Sequence, residues 1–252
     1  MKKRSCLFIL FLLMTPMLFA QQSRFDEATQ LLNQQEYREA INTYKLIADD
    51  GYISGALWLN MGIAYAQLDS LGMAKFYLIQ AERHKETKEL AQEALLYVEE
   101  RLSRRSAVLP PLPWNRFFEF LQIQVGVTTV YLSGLFILYV GIALIIISWF
   151  RLRLQKPLRT SGVTLTGLSI LIFVIAFYVQ YLDNRYATGI LTDRESVVYL
   201  NPNLQSQRIS TAYEGYKMRA DLLKSEEQTG WHYVRLENGM FGWIDDQAVN
   251  IF

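Results

Sequence analysis

Few residues of this 252-residue chain could do covalent or acid–base chemistry: His84, His232, Cys6 and the adjacent pair Asp245-Asp246. A general base or a metal ion needs partners at fixed spacing, such as two histidines one helical turn apart or a Cys-x-x-Cys pair. Neither histidine has such a partner. No Gly-x-Ser-x-Gly, His-Glu-x-x-His or phosphate-binding loop occurs. Neighbouring carboxylates on a strand or turn point apart, so Asp245 and Asp246 read as a solvated turn. The chain is therefore expected to be a non-enzyme, with no catalytic residues, cofactor or metal. Its chemistry would be recognition.

The elements that position recognition residues begin with the last hairpin, GWHYVRLENGMFGWI at 230–244. Asn238-Gly239 suits a tight two-residue turn. That turn would set Leu236 opposite Phe241 and Val234 opposite Trp243, with these four on one face and Tyr233, Arg235 and Met240 on the other. A lone hairpin is marginal in water, so further strands must cover its apolar face.

Half the residues are apolar, and the net charge is only +1. The charge is unevenly placed. Residues 21–105 and 186–252 each carry more acids than bases, while Lys2-Lys3-Arg4 and Arg151, Arg153, Lys156 and Arg159 concentrate the positive charge. A nucleic-acid binder would carry its bases on a folded domain, which excludes nucleic acid as a partner. Here the bases flank apolar runs, which is a topology signal. Residues 1–20 read as a signal peptide: a basic start, an apolar run from Cys6 to Phe19, and Ala20 at the cleavage position. Leu18 is unusual two positions before such a site, so an uncleaved anchor is the alternative. With Cys6 removed, disulfide and thiol chemistry are excluded.

Two uncharged runs are long enough to cross the roughly 30 Å hydrocarbon core as helices, 125–150 and 163–182. The basic loop between them, 151–162, belongs in the cytoplasm by the positive-inside rule. Both flanking domains then lie outside, in agreement with the signal peptide. The expected location is the bacterial inner membrane, crossed twice, with the lipid bilayer itself a partner and both terminal domains periplasmic. Gly134 and Gly141 share a face and would let the second span approach closely.

Residues 21–105 carry an internal period of 34. Ala28 and Gly62, Leu31 and Tyr65, Tyr37 and Leu71, Ala40 and Ala74, Tyr44 and Leu78, and Ile47 and Ala81 are each 34 residues apart. Helices are expected at 22–34, 37–50, 55–68 and 71–84. A fifth at 86–105 would be a cap, apolar along Leu90, Ala94, Tyr97 and Val98. The period, with Trp58, Gly62, Tyr65, Ala74 and Ala81, resembles the tetratricopeptide repeat family, an α-solenoid. The resemblance implies a peptide- or partner-binding groove on the first helix of each repeat, at Thr29, Asn33, Asn60, Ile63 and Gln67. Residues 106–124 then form a proline-containing linker, LPPLPW at 109–114, and an interfacial helix with Trp114, Phe117, Phe118, Leu121 and Val125 near one face.

Beyond the second span the chain breaks into short strand-like segments at ATGILT, SVVYLNPN, RISTAYEG, YKMRADLL, GWHYVRL and GMFGWID. Val197-Val198-Tyr199, Pro202, Gly215, Trp231, Val234-Arg235-Leu236 and Gly242-Trp243-Ile244 resemble the bacterial Src-homology-3-like domain, a small all-β barrel, over 186–252. The resemblance implies a ligand surface at Tyr199, Trp231 and Tyr233, taking a protein or a peptidoglycan peptide. Tyr199 stands where the family usually has arginine.

The fold class expected is thus a multi-domain α + β membrane protein: a tetratricopeptide solenoid, a two-helix transmembrane hairpin and a small Src-homology-3-like barrel. This order of parts resembles the E-type proteins of the Bacteroides aerotolerance (Bat) group. The resemblance implies a non-enzymatic scaffold that meets membrane and periplasmic proteins, including Bat-type von Willebrand A proteins, in an envelope-stress complex. The alternative is a membrane anchor that binds peptidoglycan through the barrel.

Overall fold

The computed structural model describes residues 22–102, 104, 108–110 and 113–252. The expected signal peptide, with Cys6, and residues 105–107 and 111–112 of the linker lie outside the described residues. The chain forms two compact units. One draws on the described residues of Met1–Ala107, with Thr188–Ala220 and Gln228–Phe252. The other comprises the described residues of Val108–Ala187, with Asp221–Glu227.

The first unit opens with five helices: α1 (22–33), α2 (Tyr37–Asp49), α3 (Gly55–Gln67), α4 (Leu71–Glu82) and α5 (Lys88–Arg101). They lie within a few residues of the expected spans. The 34-residue period recurs in the backbone. Gln35 and Asp69 both adopt positive φ, +65° and +60°, at the turns that end α1 and α3. Each turn is closed alike: Gln35 N donates to Leu32 O and Glu36 N to Leu31 O, as Asp69 N does to Ala66 O and Ser70 N to Tyr65 O. Such bonds satisfy helix-end carbonyls that would otherwise be orphaned. The paired small residues Ala28 and Gly62, and Ala40 and Ala74, are all buried. A Cβ on Gly62 would stand 2.6 Å from Leu78 Cγ, so α3 and α4 meet as closely as glycine permits. Helix α5 keeps half of the expected stripe, with Val98 buried and Ala94 packed on the core. Ala91 and Val98 are its buried residues, while Leu90 and Tyr97 are exposed. The small Ala91 lets the helix sit close, and that fixes which stripe faces inward.

The same unit contains an antiparallel sheet, in order β3-β2-β6-β5-β4-β1-β7. Its strands are β1 (Tyr186–Leu191), β2 (Glu195–Tyr199), β3 (Arg208–Tyr213), β4 (Lys217–Asp221), β5 (Trp231–Leu236), β6 (Phe241–Asp245) and β7 (Val249–Ile251). Val198, Met218, Val234, Leu236 and Ile244 share its core. The final hairpin corrects the expected register. Leu236 N donates to Met240 O and Gly239 N to Leu236 O, while Asn238 Oδ1 accepts from Met240 N. Of the loop residues only Gly239 has positive φ, +86°. The loop therefore has three residues, not two. Arg235 pairs with Phe241, Val234 with Gly242 and Tyr233 with Trp243. One added residue moves every β6 side chain to the opposite face. Phe241 and Trp243 thus join Tyr233 and Arg235, and Ile244 joins the core with Val234. Strand β7 was not expected from sequence. The end of the YKMRADLL segment runs into a short helix of the second unit, α9 (Leu222–Glu226), capped by Asp221 Oδ1 accepting from Lys224 N.

The second unit holds α6 (Pro113–Phe120), a π turn at Leu121–Val125, α7 (Val127–Phe150) and α8 (Gln155–Arg185). The segments Val127–Phe150 and Leu152–Arg185 are long and apolar enough to cross a membrane, their most apolar 18-residue stretches having mean hydropathy 2.6 and 2.3. Most of the 151–162 stretch expected as a loop is helical, because Lys156 and Arg159 begin α8. Gly134 and Gly141 face the second helix as anticipated. A Cβ on Gly134 would lie 3.1 Å from Ile172 Cγ2; one on Gly141 would lie 2.7 Å from Thr166 Oγ1 and 3.0 Å from Gly162 O. Small buried residues recur every seven on both helices, at Gly134, Gly141 and Ser148 and at Gly162, Ser169 and Ala176. This is how apolar helices approach where no hydrophobic effect drives them together. Arg185 Nη2 pairs with the buried Asp221 Oδ2 at 2.8 Å.

Candidate functional site

The helical part of the first unit brings two of its five candidate groove residues together. Thr29 on α1 and Asn60 on α3 meet at one atom, the hydroxyl of Tyr44 on α2. Thr29 Oγ1 donates to Phe25 O at 2.8 Å, which uses its only proton. The Tyr44 hydroxyl, 3.0 Å away, must therefore donate to Thr29 Oγ1 and accept from Asn60 Nδ2 at 2.9 Å. Burial pushes the Tyr44 phenol above its ordinary range, and the bonds to Thr29 and Asn60 partly offset this. The tyrosine is a neutral strut that joins α1 to α3 through α2. Ile63 is half-buried and packs on the same core. Asn33 and Gln67 are exposed. Thr29 and Asn60 thus set geometry, while Asn33 and Gln67 offer free amides.

A second aromatic group lies between α3 and α4. Tyr77 stacks between Trp58 and Tyr65, with ring centroids 5.4 Å apart on both sides. Lys45 Nζ lies over the Tyr65 ring at 5.8 Å. Burial, with lesser contributions from Tyr65 and Asp49, pushes the Tyr77 phenol up to about 12. This is core packing, not a reactive phenol.

On the sheet, β5 and β6 carry a row of rings on the face turned away from Val234 and Ile244. Tyr233 sits edge-on to Trp243 at 5.2 Å and stacks with Phe241 at 6.4 Å. Arg235 covers Phe241 at 5.2 Å. Trp231 and Tyr233 are half-buried. Tyr199 is buried, and its ring backs Trp231 at 5.7 Å, interplanar angle 88°. The three-residue loop builds this row, since a two-residue turn would have put Phe241 and Trp243 on the core side.

Sequence reasoning did not anticipate how the helical and sheet segments meet. Glu214, just past β3, places Oε1 2.8 Å from Gly72 N in the first turn of α4. Ser70, at the N-cap, makes no side-chain cap there. The carboxylate serves instead, where helix N–H groups are unpaired and the dipole is positive. A Cβ on Gly72 would stand 2.5 Å from Leu191 O and 2.9 Å from Thr192 Cα. Around this point Asn250 Nδ2 approaches Met73 Sδ at 3.0 Å, Phe252 meets Phe76 at 5.3 Å, and Arg83 lies over Phe252 at 4.6 Å. Gly215, at φ +78°, would meet Leu102 Cδ1 at 2.6 Å if it bore a Cβ. Arg104 Nη1 donates to the Tyr213 hydroxyl at 2.7 Å. The one available signal was a glycine in the first turn of a helix, a position that otherwise favours alanine.

His232 points toward the sheet core with Val234. Its Nδ1 is buried and has no hydrogen-bond partner. Burial holds its pKa below the ordinary value, against a smaller upward pull from Asp246. Among the described residues, no three His, Cys, Asp or Glu side chains come together as a metal-holding group. No protein-family model matches the chain, and no curated protein matches it.

Proposed function

We propose that this chain is a non-enzymatic, two-pass membrane scaffold of the Bat type. In this reading the first four helices are a tetratricopeptide pair capped by α5, the sheet is an Src-homology-3-like barrel, and both face the periplasm. The observation that carries the reading is the docking of the helical and sheet segments through Gly72 and Glu214 into one unit. Two segments separated by both apolar helices are held as one preassembled surface. Partners that touch both then meet them at high effective concentration. The repeated turns at Gln35 and Asp69 support the tetratricopeptide assignment.

The partners proposed are membrane and periplasmic proteins, with Bat-type von Willebrand A proteins first among them. Gln67→Ala with Asn33→Ala should weaken their cross-linking to the full-length protein in native membranes. Replacement of Asn60 tests the groove together with its strut. Unchanged capture in both the double variant and the Asn60 variant would remove the groove assignment. Sidedness has its own test. Single cysteines at Thr43 and Leu204 should react with an impermeant maleimide from outside the cell, and one at Arg153 should not.

A second reading, a peptidoglycan anchor, is favoured by the half-exposed Trp231 and Tyr233. The full-length protein should then sediment with purified sacculi, and Trp231→Ala should release it. Protein that stays in the supernatant would end that reading.

A further inference from the structure

We infer that α6 is a lipid-binding helix lying in the membrane–water interface, with Trp114 and Phe117 inserted at the boundary between headgroups and acyl chains. The inference rests on α7 and α8 being membrane spans. It adds a third, non-spanning contact with the bilayer.

The first observation is exposure. Trp114, Phe117 and Phe120 are 58%, 51% and 54% exposed on a helix of eight residues. Trp114, Phe117, Phe118 and Leu121 recur at helical spacing, which gives one apolar stripe. Phe118 and Leu121 at the far end of that stripe are half-buried. The stripe is therefore anchored at one end and open at the other.

The second observation is depth. The Phe118 ring meets Tyr178 of α8 at 4.9 Å, and Gln122 Nε2 donates to Asp183 Oδ1 at 2.6 Å. Asp183 is the first charged side chain beyond the apolar run of α8. Tyr178 lies five residues inward, about 7.5 Å at the helical rise. Interfacial helices bury their apolar face about 5–10 Å into this same zone. The contact with Tyr178 thus holds α6 where rings, not charges, are favoured. Tyr178 and Tyr181 of α8 are themselves exposed at this level and would complete an aromatic belt.

The third observation is the change of direction. The π turn at Leu121–Val125 and Gly126, at φ +79°, separate α6 from α7. An uninterrupted helix would have carried Trp114 straight out of the membrane. Instead the chain passes Tyr178, rises to Asp183, and returns to Tyr131, whose ring lies 6.3 Å from Phe173. A bilayer surface is the occupant that fits, because the open stripe continues the lipid-facing surface of the helices to which it is anchored.

The test uses the full chain in phospholipid nanodiscs, with Cys6 replaced by serine and single nitroxide labels at Phe117→Cys, Trp114→Cys, Tyr139→Cys and Leu204→Cys. Tyr139 is 63% exposed in mid-α7 and Leu204 is 69% exposed in the turn between β2 and β3. Collisions with oxygen report lipid, and collisions with a nickel chelate report water. Positions 117 and 114 should show raised oxygen access and lost nickel access relative to 204, at a depth shallower than 139. Labels at 114 and 117 that match 204, while 139 remains lipid-like, overturn the assignment of α6 alone. A water-like label at 139 overturns the spans and α6 together. The second α6 label guards against a substitution at 117 that loosens the neighbouring Phe118 contact.

Discussion

Replacing Gly72 by alanine sets two expectations of opposite sign against each other. For α4 by itself alanine stabilises, because glycine in a helix costs about 1 kcal/mol relative to alanine. In the docked unit the added Cβ would stand 2.5 Å from Leu191 O, 2.9 Å from Thr192 Cα and 3.0 Å from Glu214 Cγ. Two of these atoms are backbone, so the end of β1 has to move, and overpacking of this kind costs about 1–3 kcal/mol. The movement also strains the 2.8 Å bond from Gly72 N to Glu214, and hydrogen bonds to charged groups contribute about 1.5–3 kcal/mol. Less the helix gain, docking weakens by about 1.5–5 kcal/mol. Amide exchange of the full-length protein in nanodiscs reads this directly. Peptides covering 188–192 and 208–216 should exchange at least about tenfold faster, since 1.4 kcal/mol is one decade. Glu214→Gln keeps an acceptor and loses only the charge at the helix N-terminus, so it should have a smaller effect of about 0.3–1 kcal/mol. If Gly72→Ala leaves those peptides protected and raises the unfolding temperature, the helical and sheet segments do not depend on each other in the way argued.

Other expectations follow from the same geometry. Tyr44→Phe removes the hydroxyl that Thr29 and Asn60 share and should cost about 1 kcal/mol; an unchanged unfolding midpoint would mean that water replaces it fully. Gly141→Leu drives a side chain into Thr166 and Gly162 and should separate α7 from α8 at a cost of about 1–3 kcal/mol, read as lost cross-linking between cysteines placed at Gly134 and Ile172; retained cross-linking would refute the close approach. His232 has its folded pKa held below the unfolded value near 6.5. The sheet should therefore keep its full stability above about pH 6.5 and lose some of it as pH falls from there through the lowered folded pKa. Tryptophan-detected unfolding at pH 7.5 and 5 should show that loss, His232→Gln should shrink it, and an equal loss in the variant would assign it to other groups.

Much of the helical part was legible because its signal is periodic and local. Small residues 34 apart, such as Ala40 and Ala74, mark where helices touch, so spans could be drawn to within a few residues. Gly134 and Gly141 were readable for the same reason, but their counterparts Gly162, Ser169 and Ala176 were not. The bases before Gly162 suggested a loop there, whereas the structure continues the helix through Lys156 and Arg159. The hairpin failed on one residue. Asn238-Gly239 fits both a two-residue and a three-residue loop, and the choice depends on which strand face must be buried. With Val234, Leu236 and Ile244 already filling the core, the longer loop places Phe241 and Trp243 outside. Of the candidate site residues, Thr29 and Asn60 converge only through Tyr44, a contact between three helices that no local pattern encodes. The Glu214–Gly72 bond joins residues 142 apart and was beyond any local reading.

That same bond bears on topology by a route independent of charge. The positive-inside rule decides which side of a membrane a basic turn occupies. It does not say whether the two flanks of an apolar hairpin meet. Here α7 and α8 run antiparallel, with Gly134 beside Ile172 and Gly141 beside Gly162, so Val127 and Arg185 lie at the same end of the pair. Residues before α7 and after α8 also belong to one compact unit. A hairpin whose flanks share a core must cross the bilayer an even number of times between them. If α7 and α8 are spans, as proposed, two of them satisfy that parity, and loss of either would leave Gly72 and Glu214 on opposite sides of the membrane, unable to meet.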